Sequence, residues 1–343
     1  MRAFGQDFAG GPGYLNTASV GLPPAFVADA VAVAVRDWAS GAARPPDFDP
    51  AVDAARAGFA ALVGSDPARV ALGSTVSALA GLLAASVPDG ARVLVARGEF
   101  SSVTRPFAVQ GRGVTVTEVP LAELGEHAGA YDVVAVSVVQ SADGRIADLA
   151  PLRAARSAGT RVVLDVTQAA GWLALDVGWA DAVLGACYKW LLSPRGASWM
   201  ALDPSWVPVP HSAGWYGTRD RWGDGLYRPD PVPAPGAHGL DVSPDWLSQA
   251  GAGVALPWLA GLDRDAVQAH CTGLADDLCA RLDLPPAGSA IVSVPWDGAA
   301  QRLGAAGMAV ASRAGAARLS FHLANTGEDV DLAVRALTGP DPR

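Results

Sequence analysis

The sequence predicts an α/β protein: a mainly parallel, mixed sheet of about seven strands with helices on both faces, followed by a small C-terminal α+β domain. Three observations carry this. Between residues 70 and 203, short β-rich runs alternate with alanine-rich stretches of helical length. Two of those runs, Arg161-Val-Val-Leu-Asp165 and Ala182-Val-Leu-Gly-Ala-Cys-Tyr-Lys189, are apolar and end in a carboxylate and an amine. Beyond residue 249 the pattern shifts to two long helical stretches and then to strands and helices interleaved.

In chain order, a segment 1–22 precedes Pro23-Pro24, which introduces a helix over 25–39, as proline does at a helix entry. Strands are expected at 69–72, 92–96, 114–119, 133–139, 161–164, 182–186 and 197–202, with helices such as 75–86 and 149–158 between them. Near-continuous apolar runs of this kind suit a parallel sheet covered on both faces. No helix separates the last two strands; Ser193-Pro-Arg-Gly196 reads as a turn, so they are expected as an antiparallel edge pair. Residues 204–247 are dense in Pro, Gly and Trp without periodicity, and so long an excursion is usually functional or packed against a partner. A connector helix (249–262), an amphipathic helix (264–282), a strand (290–294), a helix (298–306), two strands (308–312 and 317–323) and a final helix (328–337) complete the chain. The expected division is 1–22 as N-terminal segment, 23–248 as large domain and 249–343 as small domain.

Composition narrows the function classes. An apolar fraction of 50% with 17% charged residues describes a chain that buries a core, and the net charge of −9 without a basic cluster argues against nucleic acid as partner. No apolar run reaches the roughly 18–20 residues of a membrane span. Met1-Arg-Ala-Phe-Gly-Gln-Asp lacks the apolar core of a secretory signal. The three cysteines, Cys187, Cys271 and Cys279, are scattered, form no metal-like pair and fit a reducing, cytoplasmic setting. Eleven tryptophans and a positive mean hydropathy point to an oligomer.

The chemistry lies at strand ends, where α/β sheets place ligands. A carboxylate such as Asp165 can hold a pyridine nitrogen protonated, and an amine such as Lys189 can form a Schiff base with an aldehyde. Singly, Asp165 reads equally well as a helix cap and Lys189 as a surface lysine. Gly73-Ser-Thr-Val-Ser77 reads either as an ordinary N-cap or as an anion site at a helix N-terminus. The occurrence of all three in this order raises the functional reading.

These motifs resemble the class V branch of the fold type I aminotransferases, the group of cysteine desulfurases, kynureninases and isopenicillin N epimerase-like enzymes, nearly end to end. Tyr14-Leu-Asn-Thr-Ala-Ser-Val-Gly21 resembles the family's opening strand and loop, and Asp165-Val-Thr-Gln168-Ala-Ala-Gly171 its cofactor motif. Tyr188-Lys189 stands at the Schiff-base position, and the run from Arg318 to Asp331 is similar to the C-terminal signature. The resemblance implies pyridoxal 5′-phosphate as cofactor and no metal. It implies Lys189 as its anchor and base, Asp165 on the ring nitrogen and Gln168 on the phenolate oxygen. Ser74, Thr75 and Tyr188 would lie on the phosphate, with Trp215 of Gly214-Trp-Tyr-Gly217 reaching it from a partner subunit of a homodimer. Phe100 would stack on the ring. Arg318 would clamp the substrate carboxylate, with Asn16, Ala18-Ser19 and Gln140-Ser141 near the pocket.

By the same resemblance, the desulfurase branch carries a nucleophilic cysteine near the C-terminal arginine motif. This chain has none between Val310 and Arg318, so a persulfide route is not expected. Cys187, two residues before Lys189, is expected as a small buried hydrophobe on the same strand face. His322 is expected as a satisfied structural histidine on the Arg318 strand. The activity expected is transamination of an amino acid or small amine. Lyase and epimerase chemistry start from the same deprotonation and remain open, as does a catalytically idle binding protein. A nicotinamide fold is disfavoured because no Gly-x-Gly-x-x-Gly follows the first strands.

Overall fold

Alternating apolar and helical segments do what the pattern demands: the central strands bury both faces, and helices return the chain between successive parallel strands. The computed structural model describes residues 1–339. A two-residue hairpin, β1 (Arg2–Ala3) and β2 (Gln6–Asp7), opens the chain. Helix α1 (Ala25–Ser40) starts behind Pro24 and stops at Gly41, whose left-handed conformation turns its N–H onto the Asp37 and Trp38 carbonyls. There follow α2 (Asp49–Val63), β3 (Val70–Gly73), α3 (Val76–Ser86), β4 (Arg92–Ala96), α4 (Ser101–Ala108), β5 (Thr115–Val119) and α5 (Leu124–His127). Then come β6 (Val133–Ser137), α6 (Leu149–Ser157), β7 (Arg161–Asp165), β8 (Ala182–Ala186) and β9 (Ser198–Leu202).

The seven strands β3 to β9 form one sheet in the order β3-β9-β8-β7-β6-β4-β5. The β8-β7-β6-β4-β5 run is parallel, and β9 lies antiparallel between β8 and β3. The expected antiparallel pair is present, but it is not an edge. All five residues of β9 are buried, and β3 covers its outer side. The period-2 alternation is literal: Leu72, Leu94, Val134, Leu164 and Val183 pack into one layer. Ala71, Val93, Val133, Val163 and Leu184 pack into the other.

Helix α2 was not expected from the sequence. Its alanines and Gly58 let α7 (Trp246–Ala260) approach closely; a Cβ on Gly58 would come 2.7 Å from Leu256. Helix α7, which carries the expected 248/249 boundary, thus packs on the large-sheet side. The 204–245 excursion holds short 3-10 turns and one antiparallel bridge, Thr218 with Pro233. It is pinned by Asp241, which accepts from the Leu72 N–H at 2.7 Å and pairs with buried Arg56 at 2.6 Å.

The chain closes with α8 (Arg264–Arg281), β10 (Ile291–Val294), α9 (Ala299–Ala305), β11 (Ala311–Arg313), β12 (Ala316–Ser320) and α10 (Gly327–Thr338). The three strands form an antiparallel sheet in the order β10-β12-β11. Its core includes Leu278, Val292, Leu319 and Val330, and Leu15 reaches into it from the N-terminal segment. The expected opening strand around Tyr14 reduces to isolated bridges, Tyr14 with Ala309 and Asn16 with Ser320. The strand expected at 308–312 begins at 311, because the Ala309 backbone is taken by Gly13 and Leu15. That pairing carries the segment 13–21 across the sheet's carboxyl edge, beside Lys189. Among the described residues no helix is long and apolar enough to cross a membrane.

Candidate active site

The parallel strands β4, β6, β7 and β8 all end at one edge, and the chemistry-bearing residues follow those ends. Asp165 closes β7 and Lys189 sits in the turn after β8; they are 4% and 6% exposed. Both line a small inner cavity of about 90 Å³ together with Ser74, Thr75, Phe100, Gln168 and Tyr188. A larger cleft of about 560 Å³ opens from it past Phe100, Ser141, Tyr188 and Lys189 to Arg318. Six residues singled out for a ring and its anion therefore meet around Lys189.

Asp165 accepts from the Thr167 N–H at 2.8 Å. Burial pushes its carboxyl up to about 6, against the Thr167 hydrogen bonds and the Lys189 charge, while Glu99 adds to the rise. Burial brings the Lys189 ammonium down to about 8; Asp165 opposes the shift and Arg318, Arg313 and Arg195 reinforce it. No ion pair within 4.0 Å joins Asp165 and Lys189 among the described residues, so the two charges flank the cavity without cancelling across it. The Phe100 ring lies 5.4 Å from Lys189 Nζ and is 43% exposed, toward the cavities it lines.

Thr75 caps α3, its Oγ1 accepting from the Ala78 N–H at 3.2 Å, so the α3 N-terminus with Ser74, Thr75 and Ser77 faces the inner cavity. Gln168 is held firmly. Its Nε2 donates to the Ala18 carbonyl at 3.1 Å and to Ser141 Oγ at 3.0 Å, and its Oε1 accepts from Trp190 Nε1 at 2.7 Å.

Arg318, on β12, is 2% exposed. Its guanidinium donates to the Ser141 carbonyl at 2.6 Å and to Ser19 Oγ at 2.7 Å, and its Nε has no partner. Burial and the neighbouring Arg313 bring it down to about 10. A buried guanidinium with neutral partners is poised for an anion.

Other expected residues stand apart. Gln140 lines neither cavity: its Nε2 donates to Glu99 at 3.0 Å and to the Ser137 carbonyl at 3.1 Å. Its neighbour Ser141 takes the place in the cleft. Asn16 also lines neither cavity; its carbonyl accepts from Ser19 and Val20, shaping the turn that brings Ser19 to Arg318, and its Oδ1 has no partner. Trp215 packs at a tilt against Trp222, centroids 4.8 Å apart, in the excursion and reaches neither cavity of its own chain.

Cys187 does not share a face with Lys189. The strand ends at Ala186, the alternation stops with it, and the Cys187 thiol turns inward to the Pro194 carbonyl at 2.8 Å, where burial pushes it up to about 12. His322 lies beyond the end of β12; its Nε2 is 3.1 Å from the Gly171 carbonyl, its ring meets Trp190 edge-on, and burial brings it down to about 4.

Sequence reasoning missed Glu99, Thr167, Ser102, Arg195 and Arg313. Glu99 had a signal, being next to Phe100; its carboxylate accepts from the Phe100 and Ser137 N–H groups, both at 2.7 Å, tying the start of α4 to the end of β6. Arg195 was read only as part of a turn, yet it lines both cavities with its guanidinium 5.1 Å above the Tyr188 ring.

No protein-family model matches the chain. Isopenicillin N epimerase of Streptomyces clavuligerus is 30% identical over 203 residues, 49% of this chain and 50% of the relative. The Amycolatopsis lactamdurans isopenicillin N epimerase is 28% identical over 230 residues, 59% of this chain and 57% of the relative. The matched stretch thus spans about half the length of these curated relatives. Among solved structures, the cystine C-S lyase C-DES superposes with a TM-score of 0.83 at 18% identity, covering 96% of this chain and 98% of that one. Escherichia coli cysteine desulfurase CsdA does so with 0.76 at 20% identity, covering 95% and 93%. Cysteine desulfurase from Thermococcus onnurineus NA1 gives 0.80 at 17%, covering 96% and 95%. The chain is thus similar in sequence, over about half its length, to the isopenicillin N epimerases, and it shares the fold of the cysteine desulfurases and of the cystine C-S lyase, that of the fold type I pyridoxal-phosphate enzymes.

Proposed function

We propose that the protein is a pyridoxal 5′-phosphate-dependent enzyme that transaminates an amino acid or small amine. The observation that carries it is the placement of Asp165, Lys189 and Arg318 around one continuous cleft. The residues fit the cofactor: an unneutralised amine and carboxylate flank a cavity that ends at hydroxyls and a helix N-terminus, with an aromatic face alongside. Lys189 would hold the cofactor, Asp165 would pair with its ring nitrogen, and Gln168 would lie on its phenolate side. Ser74, Thr75 and the α3 N-terminus, with Tyr188 and Arg195 near, would take the phosphate, and Phe100 would stack on the ring. Bound there, pyridoxal phosphate supplies an electron sink that acidifies the substrate Cα–H.

The chain's own groups then divide the work. Arg318 takes the substrate carboxylate in a two-pronged hydrogen bond and so fixes which Cα bond faces Lys189. Lys189, with its ammonium brought down to about 8, has a free amine available near neutral pH to accept the Cα proton and deliver it elsewhere. In this reading the protein is a homodimer, with Trp215 serving the neighbouring subunit's phosphate site.

Among the described residues lining the cleft there is no thiol to carry sulfur. There is also no imidazole or second lysine to act from the face opposite Lys189, as epimerisation would need. β-Elimination needs only the one base, and the end-to-end fold likeness to C-DES favours it as the second reading. The test is direct. Protein given pyridoxal phosphate should turn yellow, and Lys189→Ala should lose the covalently held chromophore. Keto acid formed only with an added amino acceptor supports transamination; ammonia without one supports the lyase. Protein that stays colourless and without cofactor sinks both.

A further inference from the structure

The cleft beyond Lys189 has a chemical bias of its own. Its outer wall is built by Val20, Pro23, Val27, Ala28, Val31 and Leu192, from the turn after Ser19, the first half of α1 and the turn after Lys189. Val20 stands 55% exposed on that wall. The charged side chains lining this cleft are Lys189, Arg195, Arg313 and Arg318, all cationic; among the described residues no carboxylate faces it. The volume of about 560 Å³ lies within the usual range for a small-molecule site, well above what an alanine-sized side chain would fill.

We infer that the substrate is an α-amino acid with a large, uncharged apolar side chain, its carboxylate on Arg318 and its side chain along α1 over Ala28 and Val31. The inference rests on the pyridoxal-phosphate reading and deepens it. The arginines on the cleft repel a cationic side chain, and the wall offers no acceptor for one. An apolar side chain instead removes the α1 wall from water. Full burial of a phenylalanine-sized group corresponds to roughly ten- to a hundredfold in affinity over an alanine-sized one.

The experiment titrates the cofactor-loaded protein with L-alanine, L-phenylalanine, L-leucine and L-lysine, following the visible band of the bound cofactor. Phenylalanine and leucine are expected to bind at least about tenfold more tightly than alanine, with lysine weakest. Ala28→Trp, on an exposed helix position, fills the wall and should lower the phenylalanine-to-alanine affinity ratio about tenfold. Equal affinities for alanine and phenylalanine, or preference for lysine, overturn the inference while the visible band leaves the cofactor reading standing. Ala28→Trp that changes the oligomeric mass but not the ratio also overturns it, by assigning this wall to a subunit interface. No band at all overturns both.

Discussion

Replacing Asp165 with Asn should make the cofactor-free protein more stable, and only above a defined pH. The carboxyl is buried, and burial lifts it from 3.8 to about 6, the Thr167 N–H and the Lys189 charge only partly offsetting the loss of water. A folded-state value above the unfolded one means that the folded chain binds the proton more tightly. Its contribution to stability is fully present below about pH 4 and is lost as pH rises through about 6. Near neutral pH the ionised Asp165 therefore costs on the order of 3 kcal/mol, since a tenfold change in proton affinity corresponds to about 1.4 kcal/mol. Asn removes the ionisation while its Oδ1 can still accept from the Thr167 N–H. Urea unfolding of wild type and Asp165→Asn, both cofactor-free, should show the variant ahead at about pH 7 and the difference shrinking toward about pH 4. Taking the difference cancels the titrating groups that do not interact with Asp165, so the part of the difference that remains at about pH 4 to 7 reports on Asp165 and on Lys189 beside it. A difference that does not change with pH, or a variant less stable at neutral pH, would refute the view that Asp165 is held at a cost for a cationic ligand atom. Loaded with cofactor, the same variant should lose turnover, because an amide cannot hold the ring nitrogen protonated.

Two further outcomes test the cleft's construction. Arg318→Lys keeps the charge but loses the planar fork that now spans Ser141 and Ser19; it should weaken amino-acid binding about ten- to a hundredfold with the visible band of the bound cofactor unchanged. Unaltered binding by absorbance titration would remove Arg318 as the carboxylate clamp. Gly21→Ala would place a Cβ 1.9 Å from the Lys189 carbonyl oxygen, where the Gly21 N–H also meets the Tyr188 carbonyl at 2.9 Å. The segment must shift, so a loss of about 1–3 kcal/mol in unfolding experiments and weaker cofactor retention are expected. An unchanged melt and unchanged retention would mean that the approach of the two chain segments is not what holds Lys189 in place.

What the sequence determined by itself is local: period-2 and apolar runs mark the strands, and Asp165 and Lys189 follow directly from such runs. A residue at a strand end inherits its direction from backbone hydrogen bonding a few residues away, so these two were legible without a fold. Only the tertiary structure decided where β3 lies, since a strand's neighbour depends on register with residues more than a hundred positions distant, as in Gly73 beside Ser198. It also decided that Ser141 rather than Gln140 enters the cleft, because the Glu99 carboxylate captures the Gln140 amide from another strand end. Cys187 turned inward because the strand had already ended, which alternation alone could not signal. Arg195 and Arg313 became cleft residues only when the turn after β8 and the small sheet were brought beside Lys189. Their side chains carry no periodic mark, and their role comes from long-range packing.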